Sequence, residues 1–296
     1  MSVPNKQTKN ICVTVSGGET SAFKALLLRD KLDSSYNLKF VFANTGQENE
    51  ETLDFVYHLE TYYDLPIVWV EAVVHHNERK ASTHKVVNYY TASRLGYPFE
   101  EVVKKYGLPN KHFLHCTREL KENPIKSYFR SIGWGKPPEY IRSIGIRSDE
   151  VDRCSPSYKV NGLYYPLAFD FPTTKPEINT FWSKEPRRLN LKAWEGNCKW
   201  CYKKSFAKHS RLIKDTPEIY DFPRKLEARY SHVKPKEGES VRKMFRMPSG
   251  YEDTRGLTVD ELFDYCKNTI PVSVDQNQIF VEEEEYGCQE SCEAFS

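Results

Sequence analysis

The sequence predicts an α/β protein in which a parallel sheet carries helices on both faces and is followed by a helical region with a cysteine pair. Between residues 11 and 74, short apolar, β-branched segments alternate with longer segments of helical periodicity. Further along the chain, residues 200–231 have a mainly helical pattern. The expected regions are an α/β core at 8–170, a helical region at 171–270 and an acidic tail at 271–296.

A pair of glycines separates the first predicted strand from the first predicted helix. Residues 11–16 (ICVTVS) are apolar and β-branched, which is typical of a buried strand. Gly17 and Gly18 interrupt this segment, and residues 19–33 carry apolar side chains at helical spacing. The order is therefore strand, tight turn, helix.

The remaining elements follow from the same two patterns. Residues 38–44 and 66–74 predict two further buried strands, with an amphipathic helix at 50–63 between them. Such strand–helix–strand repeats imply right-handed crossovers and hence a parallel sheet. Residues 141–146 (IRSIGI) predict another strand. The other helical segments are 97–107, 116–132, 175–186, 200–231 and 258–268.

The net charge is small but unevenly distributed. The 296 residues carry +2, which does not indicate a nucleic-acid packaging protein or an acidic scaffold. Residues 251–296 contain two basic and 12 acidic residues, which leaves 41 basic and 29 acidic residues in 1–250, a net +12. A basic body with an acidic tail is compatible with a polyanionic partner such as a nucleotide, sulfate or RNA.

The sequence contains no apolar run of about 18 residues, the length that a membrane-spanning helix needs. Its polar start also lacks the apolar segment of a signal peptide. We therefore expect a cytoplasmic location without a membrane partner. In that compartment the eight cysteines would be reduced, so clustered ones indicate metal ligands or redox groups.

Residues 16–21 (SGGETS) have the composition of an anion site at a strand-to-helix turn. Gly17 and Gly18 let the backbone approach an anion, and the hydroxyls of Ser16, Thr20 and Ser21 add donors. The helix N-terminus adds backbone amides and the positive end of its dipole. A phosphate or sulfate site is one interpretation, and an ordinary glycine turn is the other. The segment is not a Walker A loop, because Gly-Lys-Ser/Thr is missing.

Asn44, Thr45 and Gly46 follow the second predicted strand. Ligands of open parallel sheets collect beyond the carboxyl ends of the strands, so this turn should lie beside the first one. Its polar groups could hold a ribose or a metal. The alternative is a turn followed by acidic residues that complement a helix dipole.

Three cysteines have the spacing of ligands for an inorganic centre. Cys198 and Cys201 form a Cys-x-x-Cys pair, and Cys116 precedes Cys198 by 82 residues. Such thiolates can share an iron–sulfur cluster or a zinc ion, with Cys154 or His115 as a fourth ligand. A dithiol redox pair and simple buried thiols are the alternatives.

Arg147 ends the predicted strand at 141–146, where it would meet the ends of the other strands. A guanidinium forms two parallel hydrogen bonds to a phosphate or sulfate, which makes Arg147 an anion-binding candidate. The alternative is an ordinary arginine–glutamate pair at the surface.

Taken together, the motifs have the composition and order of a known family over residues 10–220. The chain resembles phosphoadenosine phosphosulfate (PAPS) reductase-like proteins of the PP-loop, adenine nucleotide alpha hydrolase-like superfamily, especially the variants of bacteriophages and mobile elements. The motifs are SGGETS, FANTGQENEETLDFV, CTRELKENPIKSYF, IGIRSDEVDR, YYPLAFDFPTTKPEINTFW and EGNCKWCYKKSFAKHSRLIKDTPE.

The resemblance implies a Rossmann-like sheet of about five strands that binds ATP or a PAPS-type adenylyl nucleotide, with Mg as a further expected ligand. It also implies a [4Fe-4S] cluster, with zinc as the alternative. In many relatives Lys-Asp stands where this chain has Glu19-Thr20. The implied residues are Ser16, Gly17, Gly18, Thr20 and Ser21 for phosphate or sulfate, Asn44, Thr45 and Gly46 near the nucleotide, Arg147 in anion binding and catalysis, and Cys116, Cys198 and Cys201 for the cluster.

The acidic tail contains a weaker likeness. Residues 285–288 (EYGC) are similar, in altered order, to the Glu-Cys-Gly end that carries the nucleophile of a reductase. Cys288 would then be a catalytic nucleophile, with Cys292 as a second candidate. A solvated acidic tail is the alternative.

Three functions are compatible with these residues. The first is an enzyme of sulfonucleotide reduction or sulfur transfer, and the second is an ATP-dependent tRNA or nucleic-acid thiotransferase. The third is a non-catalytic nucleotide- or nucleic-acid-binding module, in which residues 200–204 (WCYKK) hold tRNA or DNA by stacking and phosphate neutralisation. A homodimer is a further expected assembly.

Overall fold

A six-stranded sheet organises the molecule in the computed structural model, which describes residues 8–235, 237–248 and 256–269. The strand order is β4-β3-β2-β1-β5-β6, so β1 lies inside the sheet between β2 and β5. The strands are β1 (Lys9–Val15), β2 (Tyr36–Asn44), β3 (Ile67–Val73), β4 (Thr83–Val87), β5 (Ile141–Ser143) and β6 (Leu163–Tyr164).

Helices cover both faces of this sheet, which confirms the predicted α/β class. They are α1 (Glu19–Lys31), α2 (Glu50–Tyr62), α3 (Tyr97–Tyr106), α4 (His115–Thr117), α5 (Asn123–Ser131), α6 (Lys175–Lys184), α7 (Phe206–Asp215), α8 (Asp221–Tyr230) and α9 (Val259–Thr269). A π-helical segment, Arg118–Glu122, joins α4 to α5. None of the helices in the described ranges is both long and apolar enough to span a bilayer.

The strands are parallel except for β4, which pairs antiparallel with β3. No strand is expected at β4 from the sequence pattern. Its residues THKVV are half-buried or exposed at the edge of the sheet, so they lack the apolar signal of the inner strands. The strand predicted at 141–146 is also shorter than expected, because pairing ends at Ser143.

The helical region shares its core with the α/β elements. Trp182 of α6 is fully buried, and its ring packs edge-on against Phe55 of α2 at a centroid distance of 5.1 Å. Its indole Nε1 donates to the backbone carbonyl of Glu19, 3.0 Å away. Aromatic burial of this kind contributes on the order of 2 to 3 kcal/mol per ring. Residues after 170 therefore complete the packing of the helices that flank the first turn.

Candidate functional site

The glycine turn lies at the carboxyl end of β1, where α1 begins. Gly17 has φ +84°, a left-handed conformation that favours glycine, and a Cβ there would lie 2.3 Å from Cγ2 of Thr52. Glycine is thus required both by the backbone conformation and by the close approach of α2. The 13 residues of α1 direct the amides of their first turn toward this loop.

Hydroxyl groups fix the shape of the turn. The Oγ of Ser21 donates to the carbonyl of Gly18 at 2.9 Å, and it accepts from the backbone amide of Ser16 at 3.0 Å and from its hydroxyl at 2.9 Å. Thr20 differs, because its Oγ1 is buried without a hydrogen-bond partner in the described part of the chain. A buried hydroxyl without a partner carries a free-energy cost, so Thr20 Oγ1 keeps an unused hydrogen-bonding capacity in the first turn of α1.

The second predicted turn, Asn44 to Gly46, lies beside the first because β2 is the neighbour of β1. Its side chains are engaged inside the protein. Asn44 Nδ2 donates to Glu71 Oε1 at 2.6 Å and to the carbonyl of Ser93 at 2.9 Å, and Thr45 Oγ1 donates to Glu48 Oε1 at 2.8 Å. These contacts make Asn44 and Thr45 supports of the turn, while their predicted role near a nucleotide stays a prediction.

The Cys-x-x-Cys segment is docked on these two turns. Cys198 forms an antiparallel backbone bridge with Glu48, and the backbone amide of Lys199 donates to the carbonyl of Gln47 at 3.0 Å. Asn197 Nδ2 donates to the carbonyl of Ser16 at 2.9 Å. The cysteine pair therefore lies at the carboxyl edge of the sheet, next to the glycine turn.

Buried charges surround the thiol of Cys198. Burial raises its pKa well above the ordinary value, and the Cys201 thiol and the Glu48 carboxyl act in the same direction, whereas Lys204 and Lys121 oppose them. Burial also raises the pKa of Glu48, against the charge of Lys121. Cys198 is thus held as a neutral thiol at neutral pH, and a cation bound at this edge would favour its thiolate.

Cys116 belongs to the same neighbourhood, although it does not complete a metal site. Its Sγ lies 3.7 Å from the hydroxyl of Tyr202, the residue that follows Cys201. Across the described ranges, no three side chains of His, Cys, Asp or Glu form a group that could hold a metal ion. The described side chains do not form a three-thiolate centre, so the [4Fe-4S] cluster and its zinc alternative stay predictions.

The two predicted fourth ligands lie in different surroundings. Cys154 packs against a separate hydrophobic cluster with Tyr165 and Tyr158. His115 lies between the rings of Tyr106 and Phe113. Burial, assisted by the charges of nearby arginines, lowers the pKa of His115 to about 4. His115 is therefore neutral at physiological pH.

Arg147 is placed at the end of the β5 segment but is already paired. Its Nε donates to Asp149 Oδ1 at 2.9 Å, and its Nη1 lies 3.3 Å from Glu150 Oε2. The Arg147 side chain is 13% exposed, and its partners differ, because Glu150 is 5% exposed and buried whereas Asp149 is 38% exposed at the surface. A bound anion would have to share Arg147 with these carboxylates, and its predicted anion-binding and catalytic role stays a prediction.

A different arginine reaches the glycine turn. Arg188 forms a bidentate pair with Glu19, the first residue of α1, with Nε and Nη2 at 2.9 and 2.8 Å from the two carboxylate oxygens. The Arg188 side chain is 45% exposed, and the Glu19 side chain is 10% exposed. The chain therefore brings a cation to the start of α1 from 169 residues away. No local sequence pattern indicates this contact.

Lys24 is a further charged residue that the sequence analysis does not single out. It is fully buried, and its Nζ donates to the carbonyl of Ser143 at 3.0 Å and lies 3.3 Å from Thr14 Oγ1, between β1 and β5. The sequence contains one indication that Lys24 is buried. It lies among Ala22, Ala25 and Leu28, on the face of α1 that packs on the sheet.

The predicted stacking role of residues 200–204 is wrong for this conformation. Trp200 and Tyr202 are 1% and 3% exposed, because both rings are part of the core between α3 and the helical region. Trp200 Nε1 donates to Gln47 Oε1 at 2.6 Å. The two aromatic residues hold the cysteine segment in place and present no face to a nucleic-acid base. The other predicted candidates, Cys288 and Cys292, lie outside the described residues.

Together, the parallel sheet and the glycine turn at its carboxyl edge define an α/β protein of the PP-loop type. The profile of the phosphoadenosine phosphosulfate reductase domain matches residues 10–133. An uncharacterized nin region protein of Escherichia phage lambda is 31% identical over 207 residues, which span 69% of each chain. The chain belongs to the PAPS reductase-like family.

Two uncharacterized proteins of the archaeon Methanocaldococcus jannaschii are also similar. One is 27% identical over 42% of this chain, and the other is 24% identical over 67% of it. The matched segments span only 24% and 32% of these longer archaeal proteins.

Proposed function

We propose that this protein is an enzyme that binds an adenylyl nucleotide with its phosphate or sulfate at residues 16–21 and acts in sulfonucleotide reduction or sulfur transfer. The observation that carries the proposal is the glycine turn itself. Gly17 is pressed against Thr52, α1 begins directly behind it, and the buried Thr20 hydroxyl keeps an unused hydrogen-bonding capacity. These are the features of an anion cradle at a helix N-terminus.

We propose that Arg188 supplies the cation of this cradle. Glu19 stands where many relatives carry lysine, so the loop has no cation of its own. The bidentate pair with Glu19 fixes the Arg188 guanidinium at the start of α1, with nearly half of the Arg188 side chain exposed. A phosphate oxygen would share this guanidinium with the Glu19 carboxylate, and an arginine held in this way loses little side-chain entropy on binding.

The chemistry requires a sulfur nucleophile close to the bound nucleotide. In reduction, a cysteine thiolate attacks the sulfate sulfur of PAPS, a sulfur–sulfur bond forms, and the sulfur–oxygen bond to the phosphate breaks. The electron pair leaves with adenosine bisphosphate, and an S-sulfocysteine remains. A second thiolate then attacks that cysteine sulfur, giving a disulfide and sulfite. Candidates for the two thiols are the tail cysteines, Cys288 and Cys292, and the pair Cys198 and Cys201, in which Cys198 must first lose the proton that burial holds on it.

The first experiment tests the cradle by binding. Gly17→Ala adds a Cβ that meets Thr52 at 2.3 Å in a left-handed conformation, and we expect it to weaken ATP and PAPS binding by at least about tenfold, or 1.4 kcal/mol. The matched control is Gly133→Ala, because Gly133 has φ +81° with nothing within 4 Å of an added Cβ. Calorimetric titrations in which both variants bind like the unsubstituted protein would contradict the proposed site.

A second experiment separates the reactions. Protein purified without oxygen is incubated with PAPS or with ATP, and sulfite, AMP and pyrophosphate are measured. Sulfite from PAPS supports reduction, and pyrophosphate from ATP without sulfite supports adenylation by a thiotransferase. Binding without any of these products would assign the chain to a nucleotide-binding module.

A further inference from the structure

A basic rim surrounds one aromatic side chain next to the cysteine segment. Tyr106 is the last residue of α3, and the charged groups of Lys105, Lys234 and Arg118 lie 5.0, 5.5 and 5.8 Å from its ring centroid. We call these four residues the basic rim. Arg118 follows Cys116 by two residues, so the rim borders the proposed reaction site.

The rim is accessible to a large ligand. The Arg118 side chain is 53% exposed, Lys234 is exposed, and Tyr106 is half-buried. Lys105 is fixed by its Nζ, which donates to the carbonyls of His75 and Lys80 at 2.6 and 2.7 Å. Three cations are therefore presented together at the surface by residues that are distant in sequence.

Nearby acidic groups cancel only part of this charge. Glu119 is ionised, because hydrogen bonds from Ser82 and Arg118 lower its pKa despite burial, and its Oε1 lies 2.8 Å from Arg118 Nε. Arg242, whose guanidinium stacks on Phe113 at 3.9 Å, adds a fourth positive charge beneath the rim. Glu239 interacts electrostatically with Arg242, so the surroundings keep a positive excess.

The chemistry of the rim favours a nucleic acid over a small anion. All three cations lie within 6 Å of one ring, so no two of them are more than about 12 Å apart, and an extended polyanion can contact several of them at once. The rings of His115 and Phe113 adjoin Tyr106, with centroid distances of 5.4 Å for Tyr106–His115 and 5.8 Å for Phe113–His115. Cations combined with aromatic rings are typical of surfaces that bind single strands without sequence preference.

We propose that the basic rim binds the phosphodiester backbone of a single-stranded nucleic acid. The cradle at residues 16–21 is a separate site, so this inference is independent of the proposed function. It also places the nucleic-acid contact on α3 and the segments around it, and not on the buried residues 200–204.

Lys234 provides the test, because it is exposed and lies outside the cradle. Binding of a fluorescently labelled oligo(dT) and oligo(rU) of about 20 nucleotides is measured by anisotropy at several salt concentrations. We expect Lys234→Ala to weaken binding about threefold and to reduce the salt slope by about 0.7, and Lys234→Glu to weaken it about tenfold. Lys9→Ala and Lys9→Glu are the controls, because Lys9 is an exposed lysine at the amino end of β1 and is not part of the basic rim.

Each outcome decides the proposal. Equal affinities of Lys234→Glu and Lys9→Glu, binding that does not depend on salt, or no binding at low salt would overturn it. Equal affinity for polyglutamate would assign the rim to acidic proteins and would also overturn it. Circular dichroism and ATP titration of the Lys234 variants check that the fold and the cradle are unchanged, so a failure here is distinguishable from a failure of the nucleotide site.

Discussion

Replacing Glu227 by Gln is expected to stabilise the fold at alkaline pH and to change it little at acidic pH. Glu227 lies on α8, and its Oε2 accepts from the backbone amide of Val259, the first residue of α9, at 2.9 Å. Its Oε1 is buried and has no hydrogen-bond partner in the part of the chain that the structure describes. Burial, assisted by Asp260 and Glu261 and opposed by the Val259 amide and Arg224, raises the pKa of Glu227 to about 7.

The magnitude follows from the difference between the folded and unfolded pKa of Glu227. Because the folded value of about 7 lies above the ordinary 4.5, the stabilising contribution is complete below pH 4.5 and is lost as the pH rises through 7. At 1.36 kcal/mol per pKa unit the full loss is about 3 kcal/mol. Since Glu227 keeps some contact with solvent, we expect about 2 kcal/mol between pH 5 and pH 8. Glutamine accepts the same bond from Val259 without ionising.

Urea unfolding at pH 5 and pH 8 measures this difference in the free energy of unfolding. The control is Glu78→Gln, which removes an exposed carboxylate from a loop. The explanation would be refuted if Glu227→Gln changed the free energy of unfolding by the same amount at both pH values. The loss of a contact that involves no proton would change the stability equally at pH 5 and pH 8.

Two further predictions concern the candidate site. If the cluster expected from the sequence is present, protein prepared without oxygen should contain about four irons and four acid-labile sulfides per chain. Cys198→Ser should lose this iron, and the control Cys266→Ala should keep it. Bound zinc would favour the zinc alternative, and the absence of both iron and zinc would contradict both forms of the centre. Arg188→Ala is expected to weaken ATP binding about fivefold by titration calorimetry, whereas Arg187→Ala, which loses a pair with Asp54 on α2, should not. If the two substitutions weakened ATP binding equally, the proposed contact of Arg188 with the nucleotide would be contradicted.

The first half of the sheet is predictable because its local signals agree with the final packing. Residues 11–16 and 38–44 are apolar and β-branched, and the strands they predict lie side by side in the middle of the sheet. The glycine turn between β1 and α1 is predictable for the same reason, since Gly17 needs a backbone conformation that other residues rarely adopt.

Other elements depend on contacts that the local sequence does not encode. The edge strand β4 is held by pairing with β3, and its polar residues give no strand pattern. Residues 116–132 are predicted as one helix, but the segment Arg118–Glu122 is π-helical. Glu119 in that segment accepts two hydrogen bonds from Ser82, a contact across 37 residues.

The site is only partly predictable for a related reason. Composition identifies residue types that can bind an anion or a metal, whereas the fold decides which of them are already engaged. Asn44 and Arg147 have the right chemistry but are already bound to carboxylates, Asn44 to the buried Glu71 and Arg147 to the exposed Asp149. Arg188 has no motif around it and still reaches the glycine turn.

The burial of Trp182 has a consequence for how such proteins can be recombined. The family profile ends at residue 133, yet Trp182 fills the space behind α1 and α2, and Ser143 receives the ammonium of Lys24. A chimera that exchanges only the domain covered by the profile would leave a gap the size of an indole ring. It would also leave the ammonium of Lys24 buried without its acceptor. Productive exchange requires that both partners of these long-range contacts be transferred together.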